Sequence, residues 1–375
     1  MTNGSQKSGQ RTAIVIFHWS FTISKSGSLG GRGWVAMAKI DEFMIGVDLG
    51  GTSMMVVALD SKGKILADRA RSTKPELGAD KVMERIADTV EKLLFDIGKG
   101  VRKAEGVCVG APGVIDRENG LVVRAPNLNW TEYPLAKKLS QLLHSPVVLD
   151  NDVNAGAVGE HVLGAGRGAR NMVAIFVGTG IGGGVIINDE LYYGGRGSAG
   201  EVGHMKILAD GPVCGCGRRG CVEALASRTA MERDVESALK AGRESAIPEI
   251  MKRDNRDRMT SSVIQEALQS RDALMEEVLR RAQLYLGLLV ASVVNLLDPQ
   301  CVVIGGGIVE RLKEDFLRPV QMTAYEHFLR LKDSNRVKIV ASELGDHAGA
   351  AGAAVLAWRA LKGMDLRKSS MTNDK

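Results

Sequence analysis

The chain has 375 residues, is 45% hydrophobic and 4% aromatic, and carries a formal charge of +5. All of that net charge sits in residues 1–40, where Lys7, Arg11, Lys25, Arg32 and Lys39 meet no acidic residue, so the rest of the chain is neutral. A neutral body with few aromatics lacks the basic excess and the stacking surface of a nucleic-acid or anionic-membrane binder.

The length allows one large domain or two of ordinary size, and the hydrophobic share suffices for a substantial core. The longest apolar run, residues 284–297, falls short of the roughly 18 residues a membrane span needs and reads as a buried helix. Five cysteines, three of them crowded between 214 and 221, suggest no disulfide framework and fit a reducing, cytoplasmic setting. Residues 1–40 are rich in Ser and Gly, with one apolar patch at 13–17. An acid-free, Ser-rich leader can be a transit peptide, but the patch is too short for a secretory core. The expectation is a disordered basic leader ahead of a compact domain that opens near Met37.

Residues 43–47 and 54–59 are short apolar runs bounded by polar turn residues, which predicts two strands rather than a helix. Between them lies Asp48-Leu49-Gly50-Gly51-Thr52. Paired glycines let a backbone approach a ligand and aim its N–H groups at phosphate, Thr52 adds a hydroxyl, and Asp48 suits a hydrated magnesium ion. An ordinary tight hairpin would look the same in isolation. A third strand follows at 64–71. Residues 80–97 have helical spacing, with Val82, Ile86, Val90, Leu93 and Leu94 on one face. A strand at 106–110 runs into the Ala111-Pro112-Gly113 turn; 127–130 reads as a loop, 134–143 as a short helix and 147–149 as a buried strand.

That strand delivers Asp150-Asn151-Asp152-Val153-Asn154 to the start of a helix reaching about 162. Capping needs one such residue, and four polar groups in five positions exceed it, which points to chemistry at a strand–helix junction. A second strand–turn–strand unit follows: 172–177, then the turn Gly178-Thr179-Gly180-Ile181-Gly182-Gly183-Gly184, then 185–187. Its G-x-G-x-x-G spacing leads into a strand instead of opening a helix, which excludes a dinucleotide fingerprint. Two such hairpins suggest related halves facing one cleft.

Glu201-Val202-Gly203-His204 precedes Cys214, Cys216 and Cys221, with Glu223 just beyond. One His and three Cys make a closed tetrahedral zinc set, although free thiols on a glycine loop are the plainer alternative. A disulfide between Cys214 and Cys216 would be badly strained. Helices are predicted at 228–241, 262–269 and 272–297, with 252–258 an exposed connector. A strand at 301–304 ends in Gly305-Gly306-Gly307, a turn that could seat a nucleoside or simply allow close helix–strand packing. A strand at 337–341 and an Ala/Gly-rich helix at 347–361 close the pattern.

In this order and spacing, Asp48-Leu-Gly-Gly-Thr52, Asn151-Asp152, Gly178-Thr-Gly-Ile-Gly-Gly-Gly184, Glu201-Val-Gly-His204, the cysteine cluster with Glu223, and Gly305-Gly306-Gly307 resemble the ROK family of sugar kinases and repressors. The resemblance covers about 43–361 and is specific as a combination, not element by element. It implies an α/β, actin-like sugar-kinase fold with two domains around a cleft, usually a homodimer, with a homotetramer also expected. The expected division is a leader at 1–40, an N-terminal domain at 41–150, a C-terminal domain with the zinc loop at 151–346, helix 347–361 packing back on the first domain, and a disordered tail at 362–375. It implies that Asp48, Gly50, Gly51 and Thr52 hold phosphates and magnesium, that Gly178, Thr179 and Gly180 form the second phosphate loop, and that Gly306 and Gly307 lie near the adenosine of ATP. Asp152 looks like the general base. Asn151, Glu201, His204 and Glu223, with backbone near Gly113, look like sugar-hydroxyl ligands, and His204 would also join Cys214, Cys216 and Cys221 on structural zinc.

Asn127-Leu128-Asn129-Trp130 after Pro126 resembles the P-N-L-x-W segment of glucokinase members, so glucose phosphorylated on its 6-hydroxyl by ATP is the expected reaction. N-acetylmannosamine kinase and fructokinase are the alternatives within the family. A repressor of the family would carry a winged helix-turn-helix, for which residues 1–40 offer neither room nor pattern. A sensor without catalysis would be expected to lack Asp152.

Overall fold

The computed structural model describes residues 42–98, 103–330, 332 and 336–366. The expected leader at 1–40 lies outside the described residues.

The first half is built on β1 (Phe43–Leu49), whose run of buried side chains suits a central strand. It pairs antiparallel with β2 (Ser53–Asp60), Leu49 opposite Met54, so the predicted glycine turn occupies 50–52; β3 (Ile65–Ser72) adds to β2. Helix α1 (Ala79–Ile97) buries the predicted apolar face. Strand β4 (Val107–Ala111) then pairs parallel with β1. A small antiparallel sheet follows that the sequence pattern did not announce: β5 (Val114–Asp116), β6 (Leu121–Ala125) and β7 (Trp130–Tyr133). After α2 (Leu135–Leu143), β8 (Val147–Asn151) pairs parallel with β4, completing the order β3-β2-β1-β4-β8, and passes directly into α3 (Asp152–Val162).

The second half repeats this plan. Strand β9 (Met172–Val177) pairs antiparallel with β10 (Ile181–Ile187), which carries β11 (Glu190–Leu191). After α4 (Glu223–Ala226), α5 (Arg228–Lys240), α6 (Ile247–Arg253), α7 (Ser261–Gln269) and α8 (Ala273–Leu297), β12 (Cys301–Gly305) pairs parallel with β9. Helices α9 (Gly307–Leu312) and α10 (Glu314–Glu326) precede β13 (Lys338–Ala341), parallel to β12, and α11 (Ala348–Lys362) ends the fold. The order β11-β10-β9-β12-β13 is that of the first sheet, strand for strand.

Further details depart from the sequence reading. Gly182, Gly183 and Gly184 belong to β10 rather than to the turn before it. Gly182 and Gly184 keep the strand bare where α3 crosses it: a Cβ on Gly184 would sit 2.4 Å from the Ala157 methyl, while one on Gly183 would meet Val202 on the other face. Residues 252 and 253 end α6 instead of starting a connector.

Helices α3 and α11 lie between the sheets. Their buried faces, including Val158, Ala353 and Trp358, share one cluster with Met44 and Cys108 of the first sheet and Ala174 and Val303 of the second. The Trp358 indole N–H donates to the Leu59 carbonyl (3.3 Å). Outer clusters pack α1 and α2 on the first sheet and the helices of residues 228–326 on the second. Of the tail expected at 362–375, Lys362 is helical and Leu366 is buried, and 367–375 lie outside the described residues.

Candidate active site

A cleft of about 610 Å³ opens where β4, β8, β9 and β10 end, and its walls include Gly113, Asn151, Asp152, Gly178, Thr179, Gly180, Glu201, His204 and Glu223. A smaller cavity of about 220 Å³ adjoins it, lined by Asp48, Asp152, Gly306, Gly307, Glu310 and Asp346 among others. Four residues line both, Asp152, Val153, Phe176 and Gly306, and Asp152 is the only ionisable one.

The β8–α3 junction sets this carboxylate. Asn151 caps α3, its Oδ1 accepting from the Val153 and Asn154 amides (2.9 and 3.2 Å), and its Nδ2 reaches the Gly113 carbonyl at 3.4 Å. Asp152 therefore starts the helix facing the cleft. Burial pushes its pKa up to about 6; the Val153 amide, its own amide and the Asn151 side chain work against the rise, and Glu201 adds to it. Asp48 at the end of β1 rises to about 7, first from burial, then from the like charges of Asp152 and Asp346. Burial also raises Glu310, with Asp346 and Glu160 adding. Four carboxylates around one small cavity leave it short of positive charge.

Asp150, one residue earlier, is buried and fully engaged. Its Oδ1 accepts from the Asn151 amide and Asn154 Nδ2 (2.8 and 3.1 Å), and its Oδ2 from the Tyr193 hydroxyl at 2.6 Å, with Arg117 Nε at 3.1 Å. The Arg117 guanidinium lies 3.5 Å from the Tyr193 ring centre. Asp150 so ties the β8 end to the β5–β6 turn and to the loop after β11. The sequence reading singled out Asp150 within its polar run but assigned it no role. It missed Arg117, Tyr193, Glu310 and Asp346 because nothing near them in sequence marks their convergence.

Gly50, Gly51 and Thr52 line neither cavity. The Gly50 amide donates to the Ser53 carbonyl (2.9 Å) inside the turn, and Gly51 lies against Asn127, which does line the cleft. In the second hairpin the Gly178 amide donates to the Gly180 carbonyl at 2.9 Å, which leaves Thr179 at the tip.

His204, Cys214, Cys216 and Cys221 place one donor atom each within 4.8 Å of one another. Cys214 Sγ is 3.7 Å from His204 Nδ1, and Cys216 Sγ is 3.7 Å from Cys221 Sγ. Zinc–sulfur bonds of about 2.3 Å in a tetrahedron put the sulfurs about 3.8 Å apart, so the set fits a four-coordinate zinc ion. Lys206 Nζ is 3.1 Å from Cys221 Sγ. The Arg218 amide pulls the Cys216 thiol down to about 7 against the opposing effect of burial, which favours a thiolate ligand. Glu223 joins this cluster to the second hairpin: Oε1 lies 3.3 Å from Cys214 Sγ, and Oε2 accepts from the Ile181 amide at 3.0 Å.

Residues 44–360 match the ROK family. The chain belongs to the ROK family. Among ROK relatives, a glucokinase of Thermotoga maritima is 36% identical over 312 residues, covering 83% of this chain and 96% of that protein. A xylose repressor of Bacillus subtilis is 28% identical over 358 residues, covering 93% of this chain and 86% of its own. The crystal structure of a ROK family glucokinase from Streptomyces griseus in complex with glucose and AMPPNP superposes with a TM-score of 0.73 at 33% identity, covering 84% of this chain and 98% of that one. The fold is the actin-like fold of the ROK sugar kinases. The ROK match contains every site residue named above.

Proposed function

We propose that the protein is an ATP-dependent glucokinase that transfers the γ-phosphate to the 6-hydroxyl of D-glucose, with Asp152 as general base. The observation that carries the reading is the position of Asp152: it is the one ionisable residue shared by the large cleft and the small cavity. A hydroxyl in the large cleft and a phosphate chain reaching in from the other side would meet at this carboxylate. Its pKa of about 6 leaves it ionised at neutral pH yet basic enough to take a proton.

The remaining roles follow from the chemistry of transfer, which rests on positioning and on charge stabilisation. Glu201 and Glu223 through their carboxylates, Asn151 through its amide and His204 through the ring nitrogen that zinc leaves free would hold sugar hydroxyls, with backbone at Gly113 beside them. The sugar oxygen attacks the γ-phosphorus, its proton passes to Asp152, and the bond to the β-phosphate oxygen breaks to release ADP. Amides of the hairpins at Gly50–Thr52 and Gly178–Gly180 would cradle the phosphates, and Gly306 and Gly307 the nucleoside side. Magnesium, held beside Asp48, would screen the phosphate charges. Zinc on His204, Cys214, Cys216 and Cys221 would fix the loop that presents His204 and Glu223.

The test is ADP release with ATP and magnesium over glucose, mannose, fructose, N-acetylglucosamine and N-acetylmannosamine. Glucose should give the highest kcat/KM. A preference for N-acetylmannosamine or fructose would move the substrate assignment within the family. No release with any sugar, from protein that binds ATP, would make the chain a sugar sensor.

A further inference from the structure

We propose that Arg228 is a ligand for the phosphate chain of the nucleotide donor, acting together with Thr179 at the tip of the second glycine hairpin. The inference rests on the kinase reading for its ligand and on local geometry for its residue. Arg228 opens α5, and its amide donates to the Gly178 carbonyl (3.0 Å), so the side chain starts against the hairpin. Arg228 Nη2 then donates to Thr179 Oγ1 at 2.7 Å, and Thr179 lines the cleft. A guanidinium has five N–H donors in a fixed fork. Among the described residues, Thr179 is the sole hydrogen-bond partner of this one.

The natural partner would be Glu232, one helical turn further on. That carboxylate is already taken. Arg258 Nε reaches both its oxygens (3.0 and 2.9 Å), Arg258 Nη2 reaches Oε2 at 2.6 Å, and the Met259 amide donates to Oε1 at 2.8 Å. Arg228 is half-buried, so the missing partner is not fully replaced by water. Burial lowers its pKa, Glu232 opposes that, and Arg258 adds to the lowering, as expected of a cation short of an anion.

Arg228 stands behind Thr179 rather than in the cleft wall, and the cationic side chains that do line the cleft do not supply this charge. Arg117 is committed to Asp150 and Tyr193, and Arg196 is exposed on the loop after β11. The opposite cavity is lined by Asp48, Asp152, Glu310 and Asp346. A polyphosphate entering between them needs a fixed positive charge on the hairpin side, and guanidinium–phosphate pairing is strong and directional. Arg228 is placed to provide it.

The experiment is titration calorimetry of the full chain with magnesium AMPPNP and, separately, with adenosine, for wild type, Arg228→Ala, Arg228→Lys, Thr179→Val and the Arg228→Ala/Thr179→Val double variant, each checked for its unfolding midpoint. Arg228→Ala should weaken magnesium AMPPNP about tenfold or more and leave adenosine within about twofold of wild type. Arg228→Lys should recover part of the loss, and the loss should persist when Thr179 is already Val. Unchanged AMPPNP affinity in Arg228→Ala would overturn the proposal, as would equal losses for AMPPNP and adenosine. A loss that vanishes in the Thr179→Val background would make Arg228 a brace for the hairpin and overturn it too, and so would a wild type that fails to bind magnesium AMPPNP. The sugar-kinase reading is judged separately by ADP release: phosphate-selective loss without release keeps Arg228 and removes the kinase reading, and release with unchanged AMPPNP affinity does the reverse.

Discussion

Asp152 and Asp48 are two carboxylates that folding leaves with raised proton affinity, and that has opposite consequences for activity and for stability. For Asp152→Asn, the amide fills the same space but cannot accept a proton. Turnover should fall by about 10²-fold or more while glucose binding by calorimetry changes little; wild-type kcat would exclude Asp152 as the base. With Asp152 intact, kcat/KM should be flat near neutrality and fall about tenfold per pH unit below about pH 6, where the base is protonated. Asp48 supplies the stability counterpart. Its folded-state pKa of about 7 lies above the ordinary carboxylate value of 3.8, so between those values the folded chain binds more protons than the unfolded one. Stability therefore falls as pH rises through that window, and above it the full cost remains. Asp48→Asn should raise the unfolding midpoint of metal-free protein at pH 8, by a contribution on the order of a few kcal/mol, and leave it unchanged near pH 4. Equal midpoints at both pH values would mean that the Asp48 carboxylate is not strained by its surroundings. Such a trade of stability for charge is what an active site requires, and the Asp48–Leu49–Gly50 run gives no sign of it in sequence, since Asp346 comes from the far end of the chain.

At the scale of elements, the loop carrying the four zinc-fitted donors has little apolar core of its own. Backbone hydrogen bonds cross it, among them Cys214 N–H to the Arg218 carbonyl (2.7 Å) and Gly220 N–H to the Pro212 carbonyl (3.0 Å), but its own buried cluster consists only of Cys214, Cys221 and Ala224, with Cys216 packed on it. A structural zinc ion is worth about 10–16 kcal/mol in small peptides, more than such a cluster offers. Cys216→Ser should thus lose zinc by elemental analysis and weaken glucose binding at least about tenfold, with the unfolding midpoint of the main core much less affected. Retained zinc and retained glucose affinity would break the link between this loop and the sugar. The loop was legible from residue types, because four soft ligands within a short glycine-rich stretch have few other uses. Its second attachment, Glu223 to the Ile181 amide, was not, since backbone amides carry no sequence signature. Element lengths decided the rest. Helix α1 announced itself over many turns of periodic apolar residues, whereas β5 and β7 are three and four residues long, too short for any period to register.

For the molecule as a whole, two copies of one strand order stand either side of the α3–α11 layer, and the paired glycine hairpins at 50–52 and 178–180 were the sequence trace of that duplication. What the sequence could not show is how closely the two central helices meet. Helix α11 is rich in Ala and Gly because backbone meets backbone there: a Cβ on Gly352 would fall 1.7 Å from the Ala155 carbonyl oxygen, and one on Gly159 would fall 2.4 Å from that of Ala348. Neither obstruction is a side chain that can swing aside, so a methyl group must push α11 from α3. Overpacking of this kind costs about 1–3 kcal/mol, and here it acts on a layer shared by both sheets. Gly352→Ala should lower the free energy of unfolding by that amount, read as a lower denaturant midpoint at unchanged slope, even though Ala is the better helix former by about 1 kcal/mol. Because α3 begins at Asp152 and α11 follows Asp346, the same shift should disturb the two ends of the small cavity together. Magnesium AMPPNP affinity should drop in the variant at temperatures where it is still fully folded. A Gly352→Ala protein as stable as wild type, or more so, would show that α3 and α11 are not in the backbone contact that joins the halves.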